Sequence, residues 1–318
     1  MASSEYKRVL VEWASRMVIV EVHDLFKRYG GVVAVDHIGF EVRQGEVFGI
    51  LGPNGAGKTT TLEIIEGLRR PDGGRAVVDG VDVLAHPREV RARIGVQLQQ
   101  AGFFDRLTVE ETLRLFASFH RTALAAADVI ARLQLEEQRR ARVDTLSGGQ
   151  VQRLSVEVAL INNPRIVFLD EPTTGLDPQA RHALWEVIES FRREGRTVIL
   201  TTHNMEEAQR LCDRVAIMDH GRIAALDTPR GLIRTHAPGT TVALDADAAA
   251  VQFESLPGVR TVEHANGEVV LFTSEPMQTV QALMELNHSG RATFHQLRVE
   301  EATLEDVFLH LTGRRLRE

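Results

Sequence analysis

The chain carries a single cysteine, Cys212, among 318 residues. One thiol permits no internal disulfide and no cysteine-based metal cluster, and it fits a reducing compartment. Lysine is nearly as scarce: of 37 basic residues only Lys7, Lys27 and Lys58 are lysines. Where arginine fills almost every basic position, a retained lysine points to chemistry that a planar guanidinium does not supply. Long apolar runs are missing too. Stretches such as Ile166–Leu169 and Val198–Leu200 are strand-sized, far short of the roughly 18–20 residues that span a bilayer. The first residues lack the apolar core of a secretion signal. Excess positive charge is absent, since the net charge is −7, and a nucleic-acid partner would require a basic face. What remains is 43% hydrophobic and 25% charged, a composition able to bury a core.

Residues 1–16 read as an extension without order. From 17 to 230, strand-sized apolar runs alternate with helical stretches. The strands expected are Val18–Val22, Val47–Leu51, Ile166–Asp170, Thr197–Thr202 and Val215–Asp219. The later ones are apolar throughout, as in strands buried on both faces. Helices are expected over Thr59–Leu68, Gln179–Arg193 and Met205–Leu211. This alternation specifies an α/β domain with a largely parallel sheet. Strand signals vanish between about 100 and 160, which places a helical subdomain inside the α/β domain. Residues 231–239 are turn-rich and read as a linker. Residues 240–318 read as a small α+β domain, closing on a helix whose Leu304, Val307, Phe308 and Leu311 share one face.

The chemistry begins at Gly52, Pro53, Asn54, Gly55, Ala56, Gly57, Lys58 and Thr59, which follow a strand, precede a helix and fit the pattern GxxxxGK[ST]. Glycines let successive N–H groups turn inward as an anion nest, and the next helix adds its positive end. Lys58 would reach the terminal phosphates and the Thr59 hydroxyl would hold Mg²⁺, with Thr60 beside it. Ile166–Asp170 is an apolar strand ending on two acids, Asp170 and Glu171. Asp170 suits a Mg²⁺ ligand and Glu171 a general base; the plainer alternative is that strand ends are solvated and tolerate acids. Ser147, Gly148, Gly149 and Gln150 open a helical stretch, as a second anion site or as an ordinary capped helix start.

Taken together, these motifs in this order resemble the ATP-binding cassette (ABC) ATPases over residues 18 to about 230. The resemblance implies a phosphate-loop NTPase fold with ATP and Mg²⁺ as cofactors. It identifies Gly52–Thr59 with the Walker A loop, Asp170 and Glu171 with Walker B and its catalytic glutamate, and Leu146–Gln150 with the signature sequence. Tyr29 is similar to the aromatic residue that stacks on adenine, Asp177 to the D-loop aspartate and His203 to the switch histidine. Gln99, five residues before Phe104, matches the glutamine that contributes to the metal site, although Gln97 and Gln100 stand close by. Ser147, Gly148, Gly149, Gln150 and Asp177 would then act in trans on ATP held by a second chain. That implies a homodimer or a paired second ATPase subunit.

The stretches Thr202–Ile223 and Ala302–Arg314 also resemble the daunorubicin/doxorubicin-resistance branch, which implies a separate ABC-2-type transmembrane permease. The chain would be cytoplasmic, peripheral on the inner face of the membrane, driving efflux of a drug, antibiotic or lipid-like substrate. Phe103 and Phe104 are either a permease contact or ordinary packing. An importer ATPase and a non-transport ABC ATPase in translation or DNA maintenance are the alternatives. The second usually carries two cassettes, a long coiled coil or zinc cysteines, none of which is seen in this sequence.

Overall fold

The computed structural model describes residues 17–99, 102–133, 136–237, 239–246, 252–265 and 268–313. The expected extension 1–16 and Gln100 lie outside the described residues. The chain divides into two compact units at Thr228/Pro229, each described separately.

The first unit opens with β1 (Val18–Tyr29) and β2 (Val32–Arg43), an antiparallel pair. β3 (Val47–Leu51) then leads into α1 (Lys58–Ile65). β4 (Gly73–Val78) and β5 (Val81–Asp82) complete an antiparallel sheet of order β2-β1-β4-β5. The strand expected over Val18–Val22 runs 12 residues, to Tyr29, and lies in this antiparallel sheet. Its alternating pattern places Val20, Val22 and Leu25 in the core, while the other side stays wet, the signature of a sheet covered on one face only.

α2 (Pro87–Arg93) and β6 (Ile94–Gln97) follow. The helical subdomain comprises α3 (Val109–Ser118), α4 (Ala126–Leu133) and α5 (Gly148–Val158). Thr108 and Ser147 start α3 and α5 with reciprocal capping boxes to Glu111 and Gln150, which satisfy backbone donors that a helix start leaves open. Val109, Leu113, Val129, Ile130, Val143, Leu154 and Ile161 give this subdomain its own apolar centre.

The chain returns with β7 (Ile166–Asp170), α6 (Pro178–Arg193), β8 (Thr197–Thr202), α7 (Met205–Leu211), β9 (Arg214–Asp219) and β10 (Arg222–Asp227). The second sheet has the order β10-β9-β3-β8-β7-β6. All its neighbours are parallel except β9/β10. β3, β7 and β8 are buried at every position, which is why they read as largely apolar runs. The two sheets share one core, in which Phe40 of β2 stacks on Phe48 of β3 with ring centroids 5.1 Å apart.

The second unit begins with α8 (Pro229–His236), where a linker over 231–239 was expected. Proline opens this helix at a position that needs no N–H, and Leu232 is buried. β11 (Thr240–Ala246), β12 (Val259–Ala265), β13 (Glu268–Thr273) and β14 (Phe294–Glu301) form an antiparallel sheet of order β12-β13-β11-β14. α9 (Pro276–His288) and α10 (Leu304–Thr312) complete the unit, and α8 packs on α10.

Phe48 is fully buried, and its ring stacks on Phe40 and also meets the Arg214 guanidinium at 5.6 Å. Phe48→Ala should cost about 3–5 kcal/mol through lost burial and a residual cavity. Chemical denaturation of the variant measures it, and an unchanged midpoint would contradict this placement.

Candidate functional site

Because β3, β8 and β7 are adjacent and parallel, their C-terminal ends lie side by side. In an open parallel sheet that edge is where ligands bind. β3 delivers the loop Gly52–Gly57, β8 delivers His203, and β7 delivers Asp170 and Glu171.

The loop is built to its shape. Gly57 has φ 104°, and a Cβ there would lie 2.1 Å from the Ala34 carbonyl oxygen. A Cβ at Gly52 would lie 2.1 Å from the Met218 carbonyl oxygen. Only glycine fits either position. The Gly55 Cβ position meets nothing within 4 Å, and Asn54 and Gly55 are exposed. Pro53 is half-buried, and its carbonyl accepts from the Ala56 N–H at 3.1 Å.

Lys58 starts α1 and is 4% exposed. Its ammonium donates to the carbonyls of Gly52 at 2.7 Å and Pro53 at 3.1 Å, and pairs with Glu171 Oε1 at 3.0 Å. The other Glu171 oxygen meets His203 Nδ1 at 2.9 Å and accepts from Thr174 Oγ1 at 2.9 Å. Burial alone would raise the Glu171 pKa; His203, Lys58 and Thr174 reverse this and bring it down to about 2. In return the bond to Glu171 raises the His203 pKa above its ordinary value, against burial. Glu171 holds φ +47°, an uncommon backbone for a non-glycine residue and one found at functional sites.

Asp170 behaves in the opposite sense. Burial raises its pKa, although the hydroxyls of Thr201 and Thr59 donate to it at 2.5 and 3.3 Å. Among the described residues this buried carboxylate forms no salt bridge, and it converges with the Thr59 hydroxyl. Such hard oxygen donors suit a divalent cation, so the residues fit Mg²⁺. Gln99 lines the same cleft of about 260 Å³, with Thr59, Leu62, Glu63, Glu66, Leu98 and Asp170. Gln97 is the poorer choice: it is buried, and its amide nitrogen donates to the Leu98 carbonyl at 2.6 Å. Thr60 is half-buried on the first turn of α1.

The remaining sequence-derived positions stand elsewhere. Tyr29 ends β1 and is 40% exposed, with its ring centroid 5.4 Å from Lys27 Nζ and 5.3 Å from Arg69 Cζ. Ser147 caps α5, with Gly148 exposed and Gly149 packed close to Ala180 of α6. Asp177 is exposed and caps α6 through the Ala180 N–H at 2.9 Å. Gly149 and Asp177 are thus drawn to the same residue, Ala180.

Sequence reasoning missed Thr201 and Glu66. The Thr201 hydroxyl accepts from the Glu171 N–H at 2.9 Å while donating to Asp170, which fixes both acids. Its signal was a threonine pair closing an otherwise apolar strand. Glu66 is 1% exposed; burial, then the charges of Asp170 and Glu63, push its pKa up to about 8.

Comparison with known proteins agrees with this geometry. The ABC transporter family model matches residues 35–174. The "Nod factor export ATP-binding protein I" of Ralstonia nicotianae is 40% identical, over 94% of this chain and 95% of the relative. Its namesake in Burkholderia thailandensis is 38% identical, over 94% and 98%. An ATP-binding subunit of an ABC transporter superposes with TM-score 0.62 at 30% identity, over 69% of this chain and 93% of that one. A cassette solved as a dimer gives TM-score 0.60 at 27% identity, over 66% and 98%. The same cassette bound to ADP and Pi aligns equally well.

In the nucleotide-free protein, Glu171→Gln should lower the His203 pKa toward its ordinary value, because the carboxylate that favours the imidazolium is gone. By linkage, the Glu171–His203 bond stabilises the fold below the ordinary histidine pKa, and that stability is lost as pH rises through the raised folded value. NMR titration of the His203 ring reads the shift, and an unmoved pKa would refute the pairing. A buried lysine cradled by its own loop, two adjacent acids driven to opposite pKa directions and relatives matched nearly end to end lead to one assignment: the chain belongs to the ABC transporter family as an ATP-binding subunit, an ABC-type ATPase.

Proposed function

We propose that the chain drives export through a separate transmembrane permease, with Glu171 as the base of MgATP hydrolysis. The observation that carries the hydrolytic reading is the fixation of Glu171: its carboxylate is ionised and held between Lys58, His203 and Thr174. An ionised, oriented carboxylate can accept the proton of an attacking water. His203 would stabilise charge on the terminal phosphate. The Gly52–Gly57 loop, with Lys58, Thr59 and Thr60, would cradle the phosphates, and Tyr29 would stack on the base. Mg²⁺, when bound, would neutralise charge on the phosphates; Thr59 and Asp170 would hold it, with Gln99 beside them.

Ser147, Gly148, Gly149, Gln150 and Asp177 are assigned to a neighbour's nucleotide. Helix starts with exposed N–H groups attract anions, and a two-fold axis would give each nucleotide one loop and one signature. The dimeric relative supports this reading. Export is supported by the relatives named for Nod factor export, and it is favoured over importer, translation and DNA-maintenance readings. A drug, antibiotic or lipid-like substrate and an ABC-2-type permease rest on the resemblance of Thr202–Ile223 and Ala302–Arg314 to the daunorubicin/doxorubicin branch. No helix of the described residues is long and apolar enough to cross a membrane, and attachment to the inner face through the permease would follow from that partner.

The Phe103/Phe104 pair divides. Phe103 packs edge-on against Phe116 at 5.8 Å in the helical subdomain, whereas Phe104 is 63% exposed. Phe104 is therefore the candidate permease contact.

Glu171→Gln should retain MgATP binding, cut hydrolysis by about 10²-fold or more and sediment as a dimer with MgATP. A monomeric, active variant would remove Glu171 from its role. Cell fractionation tests the partner: the wild-type chain should sediment with membranes and Phe104→Ser should become soluble. Equal distribution of the two would refute that contact.

A further inference from the structure

Glu66 caps the C-terminal end of α1 and is 1% exposed. Its Oε1 has no hydrogen-bond partner among the described residues. Burying a carboxyl oxygen without a donor is costly, and an orphan of this kind points to a partner that engages when a site is occupied.

The position of Glu66 narrows what that partner is. Thr59, Glu63 and Glu66 share one face of α1, at i, i+4 and i+7. That face is a wall of the cleft of about 260 Å³ that Gln99 and Asp170 also line. Thr59 and Glu66 are roughly 10 Å apart along the helix axis, and helical side chains lean back toward the N-terminal end, which closes part of that gap. Burial and then the charge of Asp170 raise the Glu66 pKa, so the two carboxyls feel each other.

The side-chain donors on these walls can be eliminated in turn. Glu63 only accepts, and its carboxylate is paired with Arg69 at 2.5 Å. The Thr59 hydroxyl donates to Asp170 at 3.3 Å. Asp170 accepts, from Thr59 and from Thr201. Leu62 and Leu98 have nothing to donate. Among the lining residues this leaves the Gln99 amide, with two N–H donors.

Gln99 has a matching need. The oxygen and the NH₂ group of an amide are nearly alike in shape, but only the oxygen suits a divalent cation. An acceptor beside the nitrogen decides which end faces the metal, as outer partners do for metal ligands in general.

We propose that Glu66 is a positioning residue for Gln99. With MgATP bound, Glu66 Oε1 accepts from the Gln99 NH₂ group and turns the amide oxygen toward the cation held by Thr59 and Asp170. A carboxyl group has an oxygen that accepts in either protonation state. This rests on the reading above that Gln99 stands beside Mg²⁺.

The test is calorimetric titration of Mg²⁺ into the full chain with a non-hydrolysable ATP analogue, together with chemical denaturation of the chain free of nucleotide and metal. Gln99→Ala should weaken Mg²⁺ binding. Glu66→Met removes the acceptor at similar volume and should weaken Mg²⁺ binding about ten-fold, with affinity for the analogue in EDTA unchanged. Glu66→Gln keeps an oxygen and should bind Mg²⁺ nearly as the wild type does. Adding Glu66→Met to Gln99→Ala should cost nothing more, because the effect passes through one side chain. In the chain free of nucleotide, Glu66→Met should raise the denaturation midpoint, since an unpartnered buried carboxyl is replaced by a thioether. A lower midpoint, or a chain that does not fold, would show that Glu66 serves the fold and would overturn the assignment. The assignment is also overturned by unchanged Mg²⁺ affinity in Glu66→Met, by a Gln variant as weak as the Met variant, or by an additive loss in the double variant, which is what water or another donor at Glu66 would give. Unchanged Mg²⁺ affinity in Gln99→Ala would instead overturn the metal reading on which it rests.

Discussion

A buried ammonium must be neutralised, and the way Lys58 is neutralised organises the site. Its three bonds go to two carbonyls of its own loop and to Glu171. With both ion-pair side chains 4% exposed, removing one partner leaves the other a buried uncompensated charge, which is far more damaging than losing a surface pair. The loop that would grip phosphate and the acid that would activate water are thereby fixed to each other. Lysine suits this: a compact charge on a flexible stem meets three acceptors that a planar fork would not.

The pair exists because of sheet topology. β3 and β7 are separated in sequence by the entire helical subdomain and are joined in space through β8. β8 contributes more than a spacer, since Thr201 holds both acids and His203 holds one of them. Two neighbouring carboxylates then differ sharply, Glu171 being held ionised by cations while burial drives Asp170 upward. Opposed environments for adjacent acids assign different roles to them.

Local grammar explains what was legible beforehand. The loop, the acids after Ile166–Leu169 and the capped start at Ser147 are contiguous patterns whose meaning needs no distant partner. Thr201 was illegible because its significance lies in bonds to residues far along the chain. Gln99 was preferred on spacing to Phe104, and the cleft shared with Thr59 and Asp170 supplies a physical reason. Alternation along β1 reveals one covered face but not which strands lie beside it. The linker expected over 231–239 includes most of α8: Pro229 starts the helix instead of preceding a linker, and the turn signals at Ala237 and Gly239 mark its end.

The account requires that Ser147–Gln150 complete a site on another chain. A mixing experiment tests this most directly. Lys58→Ala and Ser147→Arg chains should each be inactive alone. In a mixed dimer, one site would combine the intact loop of the Ser147→Arg chain with the intact signature of the Lys58→Ala chain, so ATP hydrolysis should reappear on mixing. If the mixture stays as inactive as its components while wild-type chains hydrolyse ATP under the same conditions, the signature does not act across chains and the account is contradicted.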